Sequence, residues 1–207
     1  PESLRTYRMA NKLKEIVEVA DRFHLKPLLR ALTFPHAAYV LALSENAVRL
    51  IEVSADLPAR ELKLEGLPEN LTSVVGEAAS KDYTGTGNRT GDKRHSAYQA
   101  RYVRKINSVL RPFLMQSDLP LILATTTPLA SLFRSMSAIP VMTDTIGGNP
   151  EHLSEAELAS AARPILDAHY AEQIKDFHRL FEERTGQSRT TTDISDAARL
   201  ATFGGID

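Results

Sequence analysis

Cysteine is absent from the 207 residues. Its absence excludes disulfides, thiolate nucleophiles and cysteine-ligated metals within this chain, and it fits a reducing cytoplasm. No apolar run approaches the ~18 residues that a bilayer-spanning helix needs. The opening PESLRTYR does not read as a signal peptide, so no membrane partner is expected. An excess of one charge is missing as well: 25 Lys and Arg against 26 Asp and Glu leave a net charge of −1. Whole-chain charge therefore gives no support to a nucleic-acid partner, DNA is not expected, and any such reading has to rest on local clustering. What remains is the composition of an ordinary globular protein, 43% hydrophobic and 25% charged, long enough for one good core or one domain with pieces of others.

Several chemical signatures are missing too. Gly85, Gly87 and Gly91 are spaced G-x-G-x-x-x-G, which is not the dinucleotide fingerprint, and no G-K-[ST] ending follows them. His24, His36, His95, His152, His169 and His178 include no i, i+4 pair of the kind that holds a metal on a helix. There is no G-x-S-x-G elbow for a hydrolase triad. The first predicted strand, Ala38 to Leu43, carries no acid, and this argues against a two-metal nuclease. No cofactor and no metal are expected.

What is present is a clear change of period along the chain. Met9, Leu13, Ile16, Val17 and Ala20 recur at helix spacing, and Pro27 is placed to start a second short helix. Residues 38–43, 47–53 and 60–64 read as a three-stranded meander, the first strand buried on both faces. Residues 71–75 read as a short helix or an irregular approach to a polar loop between Ser80 and Ala97, too poor in apolar residues to bury itself. A helix over 95–111 follows, with Tyr102, Ile106, Val109, Leu110 and Phe113 on one face and Pro112 as a kink or last turn. Residues 119–124, the most apolar run, predict a central strand. A helix through Leu129, Leu132 and Phe133 comes next, then a weaker strand over 139–142 and a Gly147-Gly148-Asn149-Pro150 turn. Ser154 with Glu157, bracketed by Leu153 and Leu158, is a capping box with a hydrophobic staple. Its helix is broken or rejoined at Pro164 and continues over 165–184 to Gly186, and a last helix covers 194–201. The fold class is α/β: one mixed sheet flanked by helices, in the order of a ribonuclease H-like topology.

The functional signal is concentrated between Gly85 and Lys105. Six basic residues stand there against one acid, Asp92, and the candidate binding set is Gly85, Gly87, Asn88, Arg89, Gly91, Lys93, Arg94, His95, Arg101, Arg104 and Lys105. Arg94, Arg101 and Lys105 fall at i, i+7 and i+11, close to one helix face, with Arg104 to its side. Such a stripe neutralises phosphates, and it is equally the pattern of a solvated helix face. The glycine-bearing loop beside it tilts the balance toward binding.

HLKPLLRAL, AYVLALSENAVRLIEV, the basic loop and helix, LPLILATTTPLASLFR and GN-x-x-x-L-S-x-x-E-L, in that order, resemble the bacterial relatives of the archaeo-eukaryotic class 1 release factors and Pelota. The resemblance spans roughly residues 23–207. It implies a ribonuclease H-like middle domain over 34–190, preceded over 1–33 by the helical tail of an N-terminal domain. Residues 191–207 would then be a linker helix and the start of a C-terminal domain. It further implies a cytoplasmic, ribosome-associated factor whose loop, Gly85 to Ser96 here, reaches the peptidyl-transferase centre. True release factors carry Gly-Gly-Gln in that loop. This loop has isolated glycines and no glutamine before Gln99, and Gly147-Gly148-Asn149 lies after the last strand of the sheet. The expected role is therefore release, rescue or hibernation type binding of ribosomal RNA. Hydrolysis of peptidyl-tRNA or nucleic acid, and a protein-interaction module, are the alternatives.

Overall fold

The apolar run AYVLAL forms strand β1 (Ala38–Leu43), buried along its whole length. With β2 (Val48–Val53), β3 (Arg60–Leu62), β4 (Leu121–Thr125) and β5 (Val141–Gly147) it makes one sheet in the order β3-β2-β1-β4-β5. β1 to β3 pair antiparallel as the expected meander, whereas β4 joins β1, and β5 joins β4, in parallel. The helices are α1 (Leu71–Ala79), α2 (Gly91–Leu114), α3 (Thr127–Met136), α4 (Glu155–Thr185) and α5 (Ile194–Thr202). The computed structural model describes residues 6, 15–21, 24–25, 28–29, 36–54, 57–79, 91–187 and 189–205. The chain divides into two compact units, residues 1–166 and 167–207, and α4 begins in the first and ends in the second.

Strand alternation sends the two sets of side chains to opposite faces. Leu41, Leu43, Leu50, Leu121 and Leu123 share a core with Tyr102, Val103, Ile106 and Leu110 of α2 and with Leu129 and Phe133 of α3. On the other face Val40, Ile51, Ile122 and Ala124 are equally buried. Arg49 projects from that face, donating Nε to Glu61 Oε2 at 2.7 Å and Nη1 to the Leu153 carbonyl at 2.8 Å. This bond brings the entry of α4 to the second face, and Leu158 and Ala162 of its first turns are buried. The capping box is formed: Ser154 N–H donates to Glu157 Oε2 at 2.8 Å, and Glu157 N–H to Ser154 Oγ at 3.3 Å.

Several expectations need correction. Residues 15–20 are not helical, and Ile16, Val17 and Val19 are exposed, Val17 at 90%. A short apolar stripe with nothing to bury against does not sustain a helix by itself. Of the second short helix, Leu28 and Leu29 are helical, and the residues around them lie outside the described set. α2 starts at Gly91, so the last part of the expected loop is helix. Once the buried turns from Tyr102 onward are anchored, the costly nucleation step is past, and each polar residue added toward Gly91 gains a backbone hydrogen bond and needs no apolar contact. The expected central strand is found: β4 is interior, between β1 and β5, and wholly buried. β5 lies later than expected, at 141–147, with Thr143 and Asp144 exposed on the sheet edge. α4 runs through Pro164 without a break. Phe177 on this helix is 64% exposed.

Candidate nucleic-acid interface

α2 carries both candidate surfaces because its inward face is fixed. Tyr102, Val103, Ile106 and Leu110 are fully buried, which leaves Arg94, Arg101, Arg104 and Lys105 on the exposed side. Arg101, Arg104, Lys105 and Ser108 line one wall of an open groove of about 670 Å3. The facing wall is the turn Gly66-Leu67-Pro68-Glu69 together with Ser73 and Val74 of α1. Gly66 makes this turn possible: its φ of +81° belongs to the left-handed region, and a Cβ there would sit 3.8 Å from Val109 Cγ2 on α2. Among the described residues Arg101, Arg104 and Lys105 have no ion-pair partner, as Lys63 and Arg111 have none, whereas Arg49, Arg60, Lys175, Arg179 and Arg199 are paired; the three differ from the other unpaired cations in sharing one groove wall. A cation wall of this kind is suited to phosphate oxygens.

The other predicted residues fall differently. Arg94 is exposed two turns earlier on the helix and does not line the groove. Gly91 and Lys93 belong to the first turn of α2, of which the backbone alone is described. Gly85, Gly87, Asn88 and Arg89 lie outside the described residues. His95 turns away from the basic stripe: its Nε2 is 2.8 Å from Glu45 Oε1, on which the Gln99 amide also donates at 2.6 Å.

His95 thereby belongs to a second polar cluster, at the C-terminal ends of the parallel strands. The β1–β2 turn is closed by Ser44, whose Oγ accepts from Ala47 N–H at 2.9 Å and Asn46 N–H at 3.2 Å. Tyr102 donates its buried hydroxyl to the Ser44 carbonyl at 3.1 Å. Burial, reinforced by the negative charge of Glu45, pushes the Tyr102 phenol well above its usual range, so it acts as a donor. Asn46 Nδ2 donates to Glu151 Oε1 at 2.9 Å. Hydrogen bonding from Ser44, then from Asn46 and Asn149, holds the Glu151 carboxyl below the usual carboxylate range against the opposing effect of desolvation. A cavity of about 220 Å3 lies among Ser44, Glu45, Gln99, Thr126, Asn149 and Glu151. Both carboxylates here have partners inside the protein, and no group of three or more His, Asp or Glu among the described residues is arranged to hold a metal.

Sequence reasoning did not find Glu45, Gln99, Asn149 and Glu151, which are distant along the chain and meet because the parallel strands β1 and β5 end on the same side of the sheet and α2 packs Gln99 against the β1–β2 turn. The polar triplet Ser44-Glu45-Asn46 directly after an apolar strand was the available signal. Of the facing wall, Gly66-Leu67-Pro68 reads in the sequence simply as the stop of the third strand.

A family model described as bacterial archaeo-eukaryotic release factor family 11 matches residues 35–172, about two thirds of the chain. A comparison with curated proteins finds no match.

Proposed function

The chain belongs to bacterial archaeo-eukaryotic release factor family 11, and on that premise we propose that it is a cytoplasmic, ribosome-associated translation factor that holds ribosomal RNA through the outer face of α2. The observation that carries this reading is the groove wall of Arg101, Arg104 and Lys105, three cations without an ion-pair partner among the described residues. Family membership supports a role in translation. The strand order β3-β2-β1-β4-β5 supports a ribonuclease H-like middle domain. No helix among the described residues is long and apolar enough to cross a membrane. The 207 residues contain no Gly-Gly-Gln, and this favours binding of the release, rescue or hibernation type over hydrolysis.

Contacts to phosphates position a protein without reading sequence, and their strength falls with salt. The test is sedimentation with ribosomes. Wild-type protein is expected in the ribosome pellet at low salt, and R101A/R104A/K105A is expected in the supernatant. Equal pelleting of the two proteins would move the ribosome-binding surface off this groove.

A further inference from the structure

The two walls of the groove are unlike. On α2 stand Arg101, Arg104 and Lys105, whereas the opposite wall offers Leu67, Pro68 and a carboxylate, Glu69. The Glu69 carbonyl accepts from Val48 N–H at 3.2 Å, which ties the backbone of this wall to the sheet. Its carboxylate has no hydrogen-bond or ion-pair partner among the described residues.

A phosphate chain running along both walls would meet Glu69 as a like charge. A duplex presents chiefly backbone to a protein surface, its bases being stacked away inside. A single strand separates the two kinds of group, phosphates on one edge and splayed bases on the other. Arg101 and Lys105 are one helical turn apart, with Cβ atoms roughly 6 Å from each other, so they can serve successive phosphates of one strand. From this asymmetry we propose that the groove takes an unpaired guanine nucleotide of single-stranded RNA, with its phosphates on α2 and its base against the half-buried Leu67, the Watson–Crick edge turned to Glu69. This deepens, and rests on, the RNA-binding reading given above.

Guanine is selected by donor geometry. Its N1–H and N2–H lie side by side and match the two oxygens of a carboxylate. Adenine and cytosine present a ring acceptor beside their amino group, and uracil presents a single N–H between two carbonyls, so each meets Glu69 with at least one repulsive lone pair. The volume of about 670 Å3 lies in the range of pockets that hold small ligands.

The experiment measures fluorescence anisotropy of the 207-residue chain with short uridine-rich oligoribonucleotides that carry one central guanine, inosine or adenine. The guanine oligonucleotide annealed to its complement serves as the duplex. Wild-type protein is expected to prefer guanine over adenine by roughly tenfold, the order expected of a paired hydrogen-bond contact to a base. Inosine, which lacks the N2 amino group, is expected between them, and the duplex is expected to bind most weakly. E69Q and E69A should bring the guanine-to-adenine ratio close to one without weakening binding of the adenine strand, since a negative charge leaves the groove. Glu69 is exposed, and an unchanged melting temperature checks that these variants fold. A preference that survives in both variants, a wild type indifferent to the base, or a duplex that binds as well as the single strand would overturn the base assignment while the phosphate wall stands. If R101A/R104A/K105A binds every strand as wild type does, or wild type binds none, the RNA-binding reading itself fails and this inference falls with it.

Discussion

α2 carries two polar surfaces that differ in whether the protein satisfies them. On one side His95 and Gln99 converge on Glu45, and Tyr102 is spent on the Ser44 carbonyl. On the other, Arg101, Arg104 and Lys105 line a groove with no ion-pair partner among the described residues. The first arrangement locks the helix to the β1–β2 turn. The second leaves positive charge available to something outside the fold. A charged residue whose counter-charge is built into the protein argues for structure, and one left unmatched beside a groove argues for a ligand. The contrast is informative because both sets stand on the same helix, within three turns of each other, so differences of local stability do not explain it.

The comparison can be broken at its base by loosening the helix. Ile106→Ala deletes a fully buried side chain beneath both surfaces and is expected to cost roughly 2 to 5 kcal/mol, measured by urea denaturation. An unchanged midpoint would mean that α2 is not anchored as described. Next in size, R101A/R104A/K105A should lower RNA affinity by about tenfold or more at low salt while changing folding free energy by no more than about 0.5 kcal/mol, as exposed substitutions do. Tyr102→Phe should act the opposite way, destabilising by about 1 kcal/mol because its hydrogen bond to Ser44 is removed, and leaving RNA affinity as it was. A change of affinity with no change of stability in that variant would erase the distinction between the two surfaces.

The smallest effect concerns acid. The Glu157 carboxyl is held below its usual range by the hydrogen bonds of Ser154, and a depressed pKa favours the folded state above the unfolded value. That contribution is present at neutral pH and is lost as pH falls through the lowered pKa. Glu157→Gln should therefore flatten part of the acid dependence of the helix signal. An acid titration identical to that of wild type would place the box outside the determinants of stability.

The fold was largely legible because β1 and β4 are buried on both faces, and AYVLAL and LILAT then appear as nearly unbroken apolar runs. The capping box was legible for a similar reason, since all its partners lie within a few residues. The early helix was misread because periodicity records an apolar stripe and not whether anything covers it, and residues 15–20 are uncovered. Of the site, the cation spacing on α2 was readable as one face of a helix. Its opposite wall was not, because Leu67, Pro68 and Glu69 come from a turn more than thirty residues away that reaches α2 only through the sheet. His95 was grouped with its basic neighbours because the polar loop was read as reaching Ala97; in the helix that starts at Gly91 it stands about 100° around from Arg94.

The central claim is that the unmatched cations are a phosphate-binding surface, and the salt dependence of ribosome affinity tests it most directly. A plot of log affinity against log salt concentration should fall steeply for wild type, and R101A/R104A/K105A should be shallower by about one unit for each phosphate that is no longer neutralised, up to about three. Two parallel lines would contradict the account, since they would mean that Arg101, Arg104 and Lys105 release no counterions when the ribosome is bound.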